Sequence, residues 1–159
     1  MWKFNVLRIM QQTLLQQIDF YILESQDYLS FACRLLEKAY LEKQHVSVLT
    51  KDASRAQALD QLLWTFRDTS FIPHHLNDDP HASSAPISIG HELHTQSVKH
   101  HFDILILLSP TLPFHYDHFP RLIVVVPQED NWKKEARKHY KTLTDAGYQI
   151  NTHKIKEKA

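Results

Sequence analysis

The sequence predicts a single α/β domain with a mostly parallel sheet flanked by helices. Two observations predict it. Residues 19–66 alternate short apolar runs with stretches of helical periodicity, in the order β-α-β-α. Residues 102–108 and 121–126 are uninterrupted apolar runs, typical of strands buried on both faces. Because parallel strands need helical crossovers, the two observations together favour a Rossmann-like architecture.

The first half of the chain repeats a strand and a helix twice. The first strand is rich in β-forming residues, and cap-type residues at 25–27 precede the first helix. The predicted order is a strand at 19–23, a helix at 28–41, a strand at 45–50, and a helix that Asp52 or Ser54 caps. The apolar residues expected to face inward on this second helix are Ala56, Leu59, Leu62, Leu63 and Phe66.

The middle of the chain, residues 69–99, lacks that rhythm. It is broken by prolines and holds a His/Asp/Ser-rich segment at 74–84. We predict a short strand at 86–90 within an otherwise irregular loop that crosses one end of the sheet. Loops of this length in a compact domain are usually functional or mobile.

Regular structure resumes with the two apolar strands, joined through a connection at 110–120 with a short helical turn. A helix follows, with Asp130 or Asn131 as its N-cap and Gly147 as the residue that ends it. Residues 148–155 are predicted to form a last, partly polar strand at the sheet edge.

Composition excludes several functional classes. The chain has 159 residues, 43% hydrophobic and 23% charged, with a formal net charge of zero. A protein that coats nucleic acid normally carries net positive charge, so any basic surface here is local. The single cysteine, Cys33, has no partner for an internal disulfide, which fits a reducing cytoplasm.

The expected domain spans residues 19–155. Residues 1–18 are an extension that is either a short amphipathic segment or the product of a start codon upstream of Met10. They lack the apolar core and cleavage site of a signal peptide. Residues 156–159 are a short basic tail, and no segment is long and apolar enough to cross a membrane.

The sequence carries no motif for the functions most often found in α/β domains, which are nucleotide binding, metal binding and catalysis. With two glycines in the chain, and carboxylates after the first strand at Glu24 and Asp27, a nucleotide cofactor is not expected. Histidines are abundant, and the pairs His91/His94 and His115/His118 have chelate spacing, but without further ligands they predict no metal site. No nucleophile or catalytic carboxylate pair is marked, which leaves recognition as the expected role.

Two surfaces are candidates for recognition. On the last helix, Lys133, Arg137 and Lys141 form one column beside Tyr140. Such a column suits a partner that carries carboxylates and an apolar side chain, although a merely solvated basic face has the same pattern. At 62–74, dense aromatic residues predict that Trp64 or Phe71 is exposed, and interface and core remain alternative interpretations.

The chain resembles the chi subunits of the bacterial DNA polymerase III holoenzyme from about residue 19 to 154. The resemblance is carried by FYIL, by ALDQLLWTF followed by SFIPHHL, by FDILILL, and most specifically by VVVPQEDNWKKEARKHYKTLTDAGYQIN. It implies a non-catalytic subunit with a Rossmann-like fold and no cofactor. It also implies two partners: the psi subunit, which tethers chi to the clamp loader, and the acidic tail of single-stranded DNA-binding protein, which ends in phenylalanine.

The resemblance also assigns residues to each partner. The tail-binding residues would be Lys133, Arg137, Tyr140 and Lys141, with Val126 as an apolar neighbour. The psi-binding residues would be Trp64, Phe71 and Pro73, on a surface that could also serve a repair helicase. Thr144 stands where some family members have another basic residue, which implies weaker tail binding.

DNA would be contacted only indirectly. Two alternatives stay open on sequence alone: a small α/β enzyme that uses His91 and His94 in the central loop, and direct binding of single-stranded DNA by the basic helix.

Overall fold

Seven strands form one sheet in the part of the chain that the computed structural model describes, residues 14–66, 71–76, 85–93 and 102–156. Their order is β3-β4-β2-β5-β6-β1-β7, and every neighbouring pair is parallel. The strands are β1 (Gln17–Leu23), β2 (Val46–Thr50), β3 (His74–Leu76), β4 (Ile87–Gly90), β5 (Ile104–Leu108), β6 (Arg121–Val126) and β7 (Ile150–Ile155). The α/β prediction is confirmed.

Within the described ranges, three helices connect these strands: α1 (Tyr28–Leu41), α2 (Ala53–Thr65) and α3 (Asp130–Asp145). The crossovers β1-α1-β2 and β2-α2-β3 step along the sheet in one direction, whereas β6-α3-β7 steps in the other. Since such crossovers are right-handed, α1 and α2 cover one face of the sheet and α3 covers the opposite face. A 3-10 turn, Tyr116–His118, lies in the connection between β5 and β6.

Two adjacent residues of β1 point to opposite faces of the sheet. The ring of Tyr21 lies 5.4 Å from that of Phe31 on α1, while the ring of Phe20 lies 5.6 Å from that of Tyr140 on α3. This alternation follows from the pleat, which sends successive side chains to opposite faces.

The apolar strands lie at the centre of the sheet, as their composition predicts. All five residues of β5 are buried, and so are five of the six residues of β6. The edge strand β7 has no buried residue, because beyond it the sheet has no further strand in the described part of the chain. Its polar sequence, with Lys154 and His153, is typical of a solvated edge.

The helix boundaries agree closely with those predicted from the sequence. The carboxylate of Asp27 accepts a hydrogen bond from the Ser30 amide, and that of Asp52 accepts one from Arg55, so both act as N-caps. Gly147 has a φ of 97° and follows the end of α3, as predicted. The predicted N-cap of α3 was wrong by one or two residues: Glu129 holds that position and makes no side-chain cap bond.

Two features differ from the sequence-based expectation. Strand β1 begins at Gln17 rather than at Asp19, and Leu15 and Ile18 are buried in the core. The central segment is also not wholly irregular, because β3 pairs with β4 at the other edge of the sheet. Three residues of sequence His-His-Leu carry no alternating apolar pattern, so only pairing with β4 defines this strand.

Among the described residues, no helix combines the length and the apolar character needed to span a lipid bilayer.

Candidate protein-binding surfaces

The first candidate surface is one flank of α3, and it comprises Lys133, Arg137, Tyr140, Lys141 and Thr144; we call it the basic flank. Helix α3 buries Trp132, Ala136 and Leu143 against the sheet. At 100° per residue, the basic flank follows that buried stripe on one side of the helix. The contact between Tyr140 and Phe20 shows which side this is, namely the side toward β1 and the edge strand β7.

The cations of the basic flank are not neutralised by the acidic side chains that the structure describes. Arg137 and Lys141 are exposed, and neither forms an ion pair with another described residue. The Lys133 ammonium is half-buried and donates a hydrogen bond to the Gln128 side-chain oxygen, which fixes its position without removing its charge. The flank is therefore a site of local positive charge in a chain of zero net charge.

On the opposite flank of α3 the pattern is different. Lys138 forms an ion pair with Glu135 at 3.2 Å, one helical turn away. The ring of His139 is held 2.7 Å from the Pro110 carbonyl oxygen of the β5–β6 connection. Lys138 and His139 are thus already engaged within the protein, whereas Arg137 and Lys141 have no counterion among the described residues.

Tyr140 supplies the apolar part of the basic flank. Its side chain is 41% exposed, and its ring meets Phe20 edge to face at an interplanar angle of 90°. One side of the ring is therefore fixed by the core, and the other is available to a partner. A phenyl ring docking there would gain an aromatic contact of about 0.5–1.5 kcal/mol beyond its burial.

The structure adds detail on two other residues. Val126 lies at the carboxyl end of β6, on the sheet face that α3 covers, and is 2% exposed. It therefore packs beneath the site and offers a partner almost no surface. The Thr144 hydroxyl donates within its own helix, with the Tyr140 carbonyl oxygen at 2.8 Å and that of Lys141 at 3.0 Å. Thr144 therefore adds neither charge nor a spare donor proton.

The second candidate surface is an aromatic cluster at the end of α2, made of Trp64, Phe71 and Pro73. Trp64 is 52% exposed and Phe71 is 62% exposed, with ring centroids 5.4 Å apart. The sequence predicted exposure of one of the two rings, and both are exposed. Pro73 is half-buried beside them.

The aromatic cluster rests on His74, which sequence reasoning did not single out. Its ring is buried and lies 4.6 Å from that of Trp64. Its two nitrogens lie within hydrogen-bond distance of the carbonyl oxygens of Ile72, at 2.6 Å, and Asp60, at 3.1 Å. This histidine therefore joins α2 to β3 and holds Trp64 from beneath.

The two surfaces are far apart. The aromatic cluster lies beside β3, which is one edge strand, and the basic flank faces β7, which is the other. Six inter-strand spacings separate these edges, which is roughly 29 Å at 4.8 Å per spacing. Two partners could occupy them at once.

The crevice where an α/β sheet usually binds ligands lies between the carboxyl ends of β1 and β6, because the helices that follow go to opposite faces. Here the backbone N–H of Gln128 donates a hydrogen bond to the backbone carbonyl oxygen of Ser25 at 3.0 Å and links the two loops. These loops carry Glu24, Asp27 and Glu129 and no glycine. Such an arrangement repels phosphate rather than cradling it.

Within the described ranges, no group of three or more His, Cys, Asp or Glu side chains is arranged to hold a metal ion. The rings of His115 and His118 do approach to 4.9 Å, while His91 is exposed and His94 lies outside the described residues. Cys33 is fully buried, and burial raises the pKa of its thiol to about 12, so the thiolate nucleophile is suppressed.

A buried polar cluster at Asp19 also escaped sequence reasoning. The Asp19 carboxylate accepts hydrogen bonds at 2.9 Å from Gln17 and Arg121, and the His153 ring lies at the same distance. Burial raises the pKa of Asp19, but these hydrogen bonds and the Arg121 charge outweigh it and leave the pKa lowered. The cluster joins β1, β6 and β7. The sequence feature that could have revealed it is a carboxylate, Asp19, within an otherwise apolar strand.

Comparison with known proteins gives a consistent result. Residues 15–151 match the family model described as DNA polymerase III chi subunit, HolC. The DNA polymerase III subunit chi of Pseudomonas aeruginosa is 31% identical over 142 residues, covering 87% of this chain and 96% of that protein. The corresponding subunit of Escherichia coli is 30% identical, covering 76% and 80%, and that of Haemophilus influenzae is 28% identical, covering 86% and 96%.

Proposed function

Because the chain belongs to the family of DNA polymerase III chi subunits, we propose that it works in DNA replication as a non-catalytic adaptor. One surface would bind the psi subunit and thereby the clamp loader. The other would bind the acidic C-terminal tail of single-stranded DNA-binding protein. The adaptor would then connect the polymerase assembly to DNA that is already coated, without touching DNA itself.

The observation that carries the proposal is the uncompensated charge of the basic flank beside the half-exposed ring of Tyr140. An acidic tail that ends in phenylalanine offers carboxylates for the cations and a phenyl ring for Tyr140. Arg137 is suited to a bidentate contact with a carboxylate, while Lys133 and Lys141 act as point charges. The zero net charge of the whole chain favours a small anionic partner over extended nucleic acid.

The psi-binding assignment is supported by the exposure of Trp64 and Phe71 and by their support from His74. Large exposed aromatic rings on a rigid base are typical of interface anchors. A repair helicase could use the same anchors in place of psi. Since the two surfaces lie at opposite edges of the sheet, binding at one leaves the other accessible.

A non-catalytic role is supported by the chemistry of the groups that could have served as a site. The Cys33 thiol is suppressed by burial, Asp19 is engaged by three partners, and the β1–β6 crevice is bridged by a hydrogen bond. A replication subunit of a bacterial polymerase would work in the cytoplasm, where a lone reduced cysteine is expected.

Titration tests the proposal directly. The protein is titrated with the C-terminal peptide of its own single-stranded DNA-binding protein, and separately with the same peptide lacking its last phenylalanine. Saturable binding of the first peptide and loss of most affinity for the second are expected. Equal affinity for both peptides would contradict the role of Tyr140, and tighter binding to a bare oligonucleotide would favour direct DNA recognition instead.

A further inference from the structure

The edge strand β7 lies beside the basic flank and contributes side chains to the same face of the sheet. In the β1–β7 register, Thr152 is opposite Phe20 and Lys154 is opposite Ile22. Phe20 points to the α3 face, where it contacts Tyr140. Residues paired across parallel strands point the same way, as do residues two apart along a strand, so Thr152 and Lys154 also point to the α3 face.

The intervening residue of β7 confirms this alternation. The ring of His153 stacks on that of Tyr21 at 4.6 Å, on the opposite face of the sheet, where Tyr21 also meets Phe31 of α1. Lys154 is thus separated from the α1 side by the sheet itself, and it shares a face with Tyr140.

Lys154 is exposed, and among the described residues it has no ion-pair or hydrogen-bond partner for its ammonium group. A Lys head group stands on a flexible four-carbon stem, so it can reach several ångströms over the exposed β7 surface. Cations therefore border the space around Tyr140 from two elements: Arg137 and Lys141 from α3, and Lys154 from β7.

We infer that Lys154 is a further binding residue for the acidic tail, facing the basic flank across the space in front of Tyr140. This inference rests on the proposed tail-binding function. If the terminal carboxylate and ring of the tail are held by Arg137 and Tyr140, the acidic residues before them can also meet a cation beyond the helix. Lys154 supplies it on a strand, and so offsets the missing charge at Thr144.

Charge-neutral and charge-reversed variants test this inference. With the full-length protein and a synthetic acidic peptide ending in phenylalanine with a free carboxylate, Lys154→Ala should weaken binding about two- to five-fold, as for an exposed ion pair. Lys154→Glu should weaken binding further, and Lys154→Arg, which keeps the charge, should bind the peptide as tightly as the natural protein does. The loss should shrink as salt is added, because exposed charges are screened.

Lys156→Ala is the matched control. Lys156 is also exposed, but it lies just past the end of β7, where the strand alternation no longer applies, and it lines a different hollow of about 200 Å³ with Phe31 and Arg34 of α1. The Lys156→Ala variant loses the same charge as Lys154→Ala and should bind the peptide with unchanged affinity. Equal losses in Lys154→Ala and Lys156→Ala would mean that only overall charge matters, which overturns the inference.

Arg137→Ala separates the inference from the function on which it rests. If Arg137→Ala weakens peptide binding and Lys154→Ala does not, Lys154 is no part of the site, while the basic flank stands. If neither variant changes the affinity, the tail-binding assignment of α3 is itself wrong.

Discussion

Tyr140 of α3 meets Phe20 of β1 edge to face, with ring centroids 5.6 Å apart. Phe20 is fully buried, so a side chain at the proposed binding surface is braced directly by the core. A tyrosine held this way loses little conformational freedom when a partner docks, and a preorganised contact of this kind favours affinity.

Tyr140→Ala should weaken binding of the acidic peptide and also lower the free energy of unfolding, by about 0.5–1.5 kcal/mol for the lost ring pair. Tyr140→Phe retains the ring and should preserve stability. Peptide titration and urea unfolding of both variants measure these effects. Unchanged stability in Tyr140→Ala would show that the contact with Phe20 contributes nothing.

Arg137→Ala should cost about 1–3 kcal/mol of tail binding, the range for a hydrogen bond to a charged group. The control is Lys138→Ala on the opposite flank, where the ammonium is already paired with Glu135. Calorimetric titration with the tail peptide should show the loss in the first variant and little change in the second. Similar losses in both would mean that the peptide senses only the total charge of α3.

Phe71→Ala should abolish capture of psi and leave tail binding intact, because the two surfaces lie at opposite edges of the sheet. Phe114→Ala is a matched control, since Phe114 is highly exposed but lies in the β5–β6 connection, away from α2. Pull-down with psi and titration with the tail peptide give the two measurements. Loss of both activities together would instead indicate damage to the fold.

The Asp19 cluster predicts how stability depends on pH. The folded-state pKa of Asp19 is lowered, so the carboxylate stabilises the fold above its unfolded pKa, near 3.8. That stabilisation is lost as the pH falls through the lower folded-state value. Asp19→Asn should remove about 1–3 kcal/mol at neutral pH, since a charged acceptor of three groups is lost.

Urea unfolding at a series of pH values checks this prediction. The difference in unfolding free energy between the natural protein and Asp19→Asn should decrease as the pH falls below about 4. A difference that stays constant into the acid range would show that Asp19 does not titrate differently in the folded and unfolded chains.

By itself the sequence determined the α/β class, the limits of α1 and β6, the C-terminal end of α3 at Gly147 and the membership of the basic flank. Each depends on local patterns: apolar periodicity, capping side chains and a positive φ that favours glycine. The same local patterns gave the position of Lys133, Arg137 and Lys141 on one helical column.

Only the tertiary structure decided what that column faces. Four such relationships join separate elements of the chain: the pairing of β3 with β4, the support of Trp64 by His74, the partners of Asp19, and the placement of Lys154 on the sheet face that Tyr140 contacts. Such relationships depend on strand order and on the hand of each crossover, and no local pattern encodes them. The sequence therefore predicted which charges α3 carries, and the fold decided that they face the polar edge of the sheet.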